Sequence, residues 1–376
     1  MPTMPTSAEI AAGIQTWIRC ESPSSSPQGI AAMVAMVEQH AKAAGLAARL
    51  SSLGDATGPL LHVSNRAAGD GRAGILILAH LDTVHPFGTL QKNECRIEGD
   101  KLYGPGGYDM KGGIYLALTA LGQMAAPGST ALPVDFLLVP DEETGSHHSR
   151  ASIERYARQA RYALVCEPAR ADAGKCVTAR KGTGMLRLQV QGRPAHAGVD
   201  HQKGRSAIRE MAHQVLALEA MTDYARGITV SVGTISGGTV TNTVPSKCEV
   251  MVDFRVPDMH AAEELLAKMR ALKPVGPDVT LDIDVELNRP PMVKTDAVAD
   301  LLARAQTWAA EAGFALEDAP MTGGGSDANF TAALGIPTLD GLGVDGDSAH
   351  TLHEYLLVST LAPRLRFWSL LLRNLN

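Results

Sequence analysis

The sequence predicts an α/β main domain, with a largely parallel mixed sheet between helices, and a smaller α+β domain of ferredoxin-like order with a four-stranded antiparallel sheet inserted into it. Three observations carry this reading. The chain has 376 residues, whereas single cores stop growing near roughly 250 to 300 residues, so two domains are expected. Up to about Lys175, short continuous apolar runs alternate with helical patterns, as strands covered on both faces do. Beyond it, apolar and polar residues alternate, the mark of strands with one wet face.

Residues 28–45 place Ile30, Met33, Val34 and Val37 at helical spacing and close with Gly45. Ile75 to Ala79 between Gly74 and His80, Val134 to Val139, and Tyr162 to Val165 read as buried strands, separated by helical patterns at Lys111 to Met124 and Ser152 to Gln159. After the change, Leu186, Leu188 and Val190 alternate with polar residues, as do Val279, Leu281, Ile283, Val285 and Leu287. Between these lie a helix around Ser206 to Met221, strands at Ile228 to Thr234 and Lys247 to Val256, and a helix around Ala261 to Leu272. Strand, helix, strand, strand, helix, strand is the ferredoxin-like order. Helical patterning returns from Thr295. The predicted division is 1–176 and 291–376 for the main domain and 177–290 for the insertion.

Composition excludes several classes. Hydrophobic residues make up 45% and charged residues 20%, an ordinary globular balance. The 34 Lys and Arg against 40 Asp and Glu give a net charge of -6, no surplus to hold a phosphate backbone or an anionic membrane; neither nucleic acid nor membrane is expected as a partner. No apolar stretch approaches the roughly 20 residues of a membrane helix. Met1 to Ser26 lacks the basic start and apolar region of a secretory signal, which predicts a cytoplasmic protein. The 5 cysteines, Cys20, Cys95, Cys166, Cys176 and Cys248, show no paired zinc spacing, so reduced thiols are expected.

Polar residues gather where the buried strands end. His80 follows the first, with Asp82 two positions on and so returned to the same side. Alone, such a pair is more often a hydrogen-bonded surface histidine than a ligand. Asp109 sits between a glycine-rich turn, Gly104 to Gly107, and the helix opened by Lys111, Gly112 and Gly113, where an N-cap is the plain alternative. Asp141-Glu142-Glu143 follows Val134 to Val139 and Pro140; adjacent carboxylates there cost free energy unless cations or hydrogen bonds compensate, a solvated acidic turn being the bland alternative. Glu167 follows the third strand. Ligands of open α/β sheets lie at carboxyl ends of strands, and together these residues favour metal binding.

On His80-Leu81-Asp82-Thr83-Val84, Gly104 through Gly113 with Asp109-Met110-Lys111-Gly112, Asp141-Glu142-Glu143-Thr144-Gly145-Ser146, Cys166-Glu167-Pro168, and Ala349-His350 followed by Glu354-Tyr355, the sequence resembles the dinuclear-zinc glutamate carboxypeptidase, aminoacylase and desuccinylase family, with its carboxypeptidase G branch nearest. The likeness covers nearly the whole chain. It implies that His80 and Glu167 hold one zinc ion, Glu143 and His350 the other, and that Asp109 bridges them; Co²⁺ or Mn²⁺ suits the same donors. The family spacing to the Glu-Tyr pair selects His350 over His353. Asp82 would orient His80 through the far imidazole nitrogen. Glu142, beside a ligand but not needed as one, is the general base, taking a proton from water and returning it to the leaving amine. His147 and His148 receive no role.

In the insertion, Gly192-Arg193-Pro194-Ala195-His196-Ala197-Gly198 resembles the loop whose histidine stabilises the oxyanion in the neighbouring subunit of a homodimer, with His201 standing where relatives often carry proline. Asn242 matches a substrate-binding asparagine. Arg289 resembles an arginine that holds a substrate carboxylate, and Gly323, Gly324 and Gly325 match a glycine turn whose N–H groups approach an anion closely. The implied activity is hydrolysis of an amide bond to release a C-terminal amino acid, first an acidic one; the substrate is an N-acyl amino acid or short peptide with a free carboxylate. A deacylase of N-acyl amino acids is the alternative, and a non-catalytic metal-binding protein a lesser one. Arg289 and the glycine turn point away from an aminopeptidase, which needs an acidic pocket for a free amine.

Overall fold

The computed structural model describes residues 4–170 and 174–376; Met1–Thr3 of the amino-terminal stretch read above lie outside them. The chain divides into two compact units. One runs to Ala179 and resumes over Lys294–Thr322 and Ser326–Asn376; the other is Arg180–Val293 with Gly323–Gly325.

The first unit is built on a six-stranded sheet in the order Ala47–Ser51, Leu60–Ser64, Val134–Val139, Gly74–His80, Ala160–Val165, Thr338–Leu339. The last four are mutually parallel, and Leu60–Ser64 runs antiparallel to both of its neighbours, Ala47–Ser51 and Val134–Val139, making the mixed sheet expected. Gly74–His80 and Val134–Val139 are buried at every position, which is why they read as unbroken runs. Asp135 interrupts the second run, and its carboxylate is satisfied there by His62, Ser64 and Arg66. The Ala47–Ser51 strand was not predicted. It lies at the sheet edge, largely exposed, and its residues carry no apolar alternation to read.

Helices cover the sheet. Pro27–Ala43 starts at Ser26, whose hydroxyl accepts from Gly29 N–H, and buries Ile30, Met33, Val34 and Val37. Ser7–Ile18, also unpredicted, is announced by a Thr6–Glu9 capping box. Asp296–Ala312 and Leu361–Asn374 supply the helical return. The helix Gly112–Gly122 packs hard against the sheet: a Cβ on Gly113 would lie 2.3 Å from the Cys166 carbonyl oxygen, so only glycine admits this approach. Its N-cap is Lys111 without a side-chain cap bond, which removes the capping alternative for Asp109.

Parallel register sets the site. His80 is level with Val139, and Leu78 with Val165, so the peptides that follow three neighbouring strands emerge along one carboxyl edge. A small antiparallel sheet, Gly346–Asp347, Tyr355–Leu357, Lys101–Tyr103 and Arg96–Glu98, pairs Tyr355 with Tyr103 and draws the segment after His350 to the turn before Asp109.

The second unit has the predicted order: strand Gly182–Gln191, helix Ala207–Glu219, strands Thr229–Gly237 and Lys247–Val256, helix Met259–Arg270, strand Thr280–Arg289. Its sheet is antiparallel throughout, with Thr229–Gly237 on one edge and Thr280–Arg289 on the other. Leu186, Leu188, Val190, Val250, Val252 and Phe254 face the helices in a separate core. Among the described residues no helix is long and apolar enough to cross a membrane, and all five cysteines are free thiols.

Candidate metal centre

At the carboxyl edge of the first unit's sheet, Asp109 stands between two imidazoles. Its Oδ1 lies 3.1 Å from His80 Nε2 and its Oδ2 3.2 Å from His350 Nε2. Glu167 Oε1 is 3.9 Å from His80 Nε2, and Glu143 Oε1 is 3.4 Å from His350 Nε2. Donor atoms of His80, Asp109 and Glu143 lie within 4.8 Å of one another, and so do those of His80, Glu142 and Glu167. The five residues expected as ligands are thus brought together, with Glu142 beside them. His350 is placed by its own backbone, at φ 64°, in the loop before Tyr355.

The charges do not balance among these side chains. Burial pushes Glu143 up to about 7, a rise tempered by His350 and reinforced by Asp109. Glu167 is pushed well above its usual range by burial, then by the charges of Asp109 and Glu142. Asp109 is held well below its usual range: burial opposes this, but hydrogen bonds from His350 and His80 prevail. The histidines answer in kind. His350 is raised to about 10 by Asp109 and Glu143; His80 is raised despite its burial, chiefly by Asp109. Glu143 Oε1 is buried without a hydrogen bond. Imidazole and carboxylate donors crowded this closely, with Glu143 and Glu167 both raised by burial and by neighbouring negative charge, fit divalent cations.

Asp82 departs from expectation. His80 Nδ1 donates to the Asp82 backbone carbonyl at 2.9 Å, while the Asp82 carboxylate is 3.6 Å away. That carboxylate is engaged elsewhere: Oδ1 accepts Glu142 N–H and Oδ2 accepts Glu143 N–H, both at 3.2 Å, and Oδ2 also accepts the Ser24 hydroxyl at 2.8 Å. The extended backbone does return Asp82 toward the site, and there its carboxylate is bonded to two N–H groups of the acidic turn. Burial raises Asp82 to about 6, against the pull of His80. The turn is therefore anchored by buried Asp141 and Glu142, with Thr144 exposed at its tip. Asp141 closes it, its Oδ2 accepting His148 N–H at 2.7 Å and Ser149 N–H at 3.3 Å. The side chains of His147 and His148 are exposed.

In the second unit, His196 is exposed and its Nδ1 accepts N–H bonds from Gly198 at 3.1 Å and Val199 at 3.2 Å. The proton of the neutral ring is thereby placed on Nε2. The loop is tied to Asn242, whose carbonyl accepts Ala197 N–H at 2.9 Å, and Asn242 itself is exposed. His201 is exposed in a short helical turn, His201–Lys203. Arg289 is buried at the end of its strand. The glycine turn is beside it: a Cβ on Gly325 would lie 3.0 Å from Arg289 Cδ and 2.9 Å from Thr183 Cγ2. Arg180, also buried, donates to the Gly324 carbonyl at 2.9 Å. Nothing in the sequence around Arg180 distinguishes it, and it went unread; Ser24 and His85 were missed for the same reason.

Residues 76–374 match the model of peptidase family M20/M25/M40. The chain is 30% identical over 369 residues to Carboxypeptidase G2 of a Pseudomonas species, covering 96% of this chain and 88% of that protein. It is 30% identical over 336 residues to a succinyl-diaminopimelate desuccinylase of Bordetella petrii, covering 83% and 86%. Among solved structures, aminopeptidase PepT of Bacillus cereus superposes with a TM-score of 0.76 at 22% identity, over 99% of both chains, a likeness of fold. The chain belongs to peptidase family M20/M25/M40 and is an enzyme of the metallopeptidase and amidohydrolase kind.

Proposed function

We propose that this member of the M20/M25/M40 family is a dinuclear-metal hydrolase that cleaves an amide bond to release an amino acid with a free carboxylate, in the first place a glutamate-type carboxypeptidase. The observation that carries the dinuclear reading is Asp109, with one oxygen turned to each of two histidines and Glu167 and Glu143 beside them. His80, Asp109 and Glu167 would hold one ion and Asp109, Glu143 and His350 the other. Zinc is the first assignment, with Co²⁺ or Mn²⁺ suited to the same donors. Similarity to Carboxypeptidase G2 supports the carboxypeptidase reading. Similarity to a succinyl-diaminopimelate desuccinylase favours, as the second, deacylation of an N-acyl amino acid.

When bound, the ions would polarise the scissile carbonyl and lower the pKa of water to about 7. Glu142, fixed by its own N–H on Asp82, accepts the proton of the attacking water and returns it to the leaving amine. His196, protonated on Nε2 by the two bonds to its Nδ1, offers a donor to the oxyanion. We assign that donor to the active site of the partner subunit in a homodimer. Arg289, with the N–H groups of the glycine turn and Asn242, receives the substrate carboxylate. In this scheme the first unit is the catalytic domain, Arg180–Val293 with Gly323–Gly325 is the dimerisation domain, and the protein acts in the cytoplasm.

The experiment compares kcat/KM of the zinc-loaded protein for N-acyl-glutamates and dipeptides ending in glutamate, for N-succinyl and N-acetyl derivatives of other amino acids, and for the C-terminal amide of each. Loss of a charge-assisted pair is worth roughly 1.5 to 3 kcal/mol, so amides should react about 10- to 100-fold more slowly. Equal rates for acid and amide exclude both readings; preference for N-succinyl substrates selects the second.

A further inference from the structure

Glu354 is wholly buried, and its carboxylate gathers four donors. Oε1 accepts the N–H groups of Tyr108 and Asp109, both at 3.0 Å. Oε2 accepts Gly106 N–H at 3.0 Å and His85 Nε2–H at 2.6 Å. The Glu354 carbonyl in turn accepts Gly104 N–H at 3.3 Å. His85 is also buried. Three stretches of chain therefore meet on one side chain: that which follows His80, the turn that carries Asp109, and that which follows His350.

We propose that Glu354 and His85 form a positioning pair for the metal centre, holding Asp109 square between His80 and His350. The inference rests on the dinuclear reading above. Three converging backbone N–H groups form an anion-binding concavity, and a buried carboxylate is the group that can satisfy all three with charge-assisted bonds. One of the donors is the N–H of Asp109 itself, so the direction in which its side chain leaves the backbone is fixed at the adjacent atom. The small sheet that pairs Tyr355 with Tyr103 fixes Glu354 against the same turn from the other side. His85 ties in the His80 strand. The carboxylate thus adds a fixed anchor at the backbone of Asp109, whose side chain stands 3.1 and 3.2 Å from the two imidazoles. The Glu354 carboxylate is bonded to the turn and to His85 rather than to His80 or His350, so its action on the ions is through Asp109.

The test uses Glu354→Gln and His85→Phe in the full chain, with Zn²⁺ affinity measured by competition against a chromogenic chelator and the visible spectrum of the Co²⁺-loaded protein. A glutamine side chain there keeps one acceptor and turns a donor toward Gly106 N–H and His85. Outer partners of metal ligands are typically worth about 10- to 100-fold in affinity; we expect a loss in that range for Glu354→Gln, a several-fold loss for His85→Phe, and a shifted Co²⁺ band in both. Wild-type affinity and spectrum in the variants overturn the proposal, even where the metal-free variants melt at lower temperature, since that pattern belongs to a purely structural role. If Glu354→Gln does not fold, His85→Phe decides by the same criteria. Failure of the dinuclear reading is seen separately, as wild-type protein that takes up neither Zn²⁺ nor Co²⁺, and it removes this proposal with it.

Discussion

Asp82→Ala tests whether that carboxylate organises the acidic turn. In the structure it accepts the N–H groups of Glu142 and Glu143, both at 3.2 Å, in a site with 1% exposure. Alanine removes the carboxylate that both N–H groups are bonded to. Each donor that loses its partner there costs about 1–3 kcal/mol, so the metal-free variant should lose about 2–6 kcal/mol of unfolding free energy, a large share of the roughly 5–15 kcal/mol typical of a domain. Asp82→Asn keeps one oxygen and turns an amide donor toward the second N–H, so its loss should be about half as large. His80 should keep its orientation in both variants, because its Nδ1 bond is to the backbone carbonyl of residue 82. Guanidinium unfolding of the metal-free proteins measures the first effect. Proton–nitrogen NMR of the imidazole checks the second. If Asp82→Ala unfolds within about 0.5 kcal/mol of wild type, the ordinary scatter of surface substitutions, or if the His80 ring loses its Nδ1 proton, the carboxylate acts on His80 and not on the turn.

The other predictions address the chemistry, the assembly and the fold. Glu142→Ala should lower kcat by about 10²- to 10⁴-fold, the usual worth of a positioned general base, with metal content unchanged; loss of an ion by elemental analysis would make Glu142 a ligand, which its place near His80 and Glu167 allows. Asp109→Ala should instead empty or disorder the site, since one carboxylate serves both histidine sides. Mixing Glu142→Ala with His196→Ala protein under subunit exchange should restore roughly a quarter of wild-type activity, because about half the dimers are hybrids and half their sites are intact; no recovery places His196 in its own chain's site. Asp135 is held at about 2: burial pushes its carboxyl up, but His62 and Arg66 outweigh it. A depressed carboxyl stabilises the fold above its unfolded pKa near 4, so about 2 kcal/mol should be present at neutral pH and drain away as pH falls from about 4 to 2. Asp135→Asn should flatten acid unfolding over that window.

What the sequence determined by itself was the chemistry along the chain and the elements whose burial leaves a local signature. Gly74–His80 and Val134–Val139 are buried at every position, so their apolar runs were legible, as was the change to one-sided alternation in the second unit. His80, Asp109, Glu143, Glu167 and His350, which the structure brings together, stand in short motifs, each beside the glycines or strand end that positions it. Exposed edges such as Ala47–Ser51 were not legible, because nothing in their composition records a neighbour. Tertiary structure alone decided which polar groups pair. The Asp82 carboxylate accepts from two N–H groups of a turn about 60 residues away, and Glu354 found its partners on stretches more than 240 residues distant. A buried carboxylate takes whichever donors converge on it in space, and that convergence is set by strand register and sheet order, which no spacing along the chain encodes.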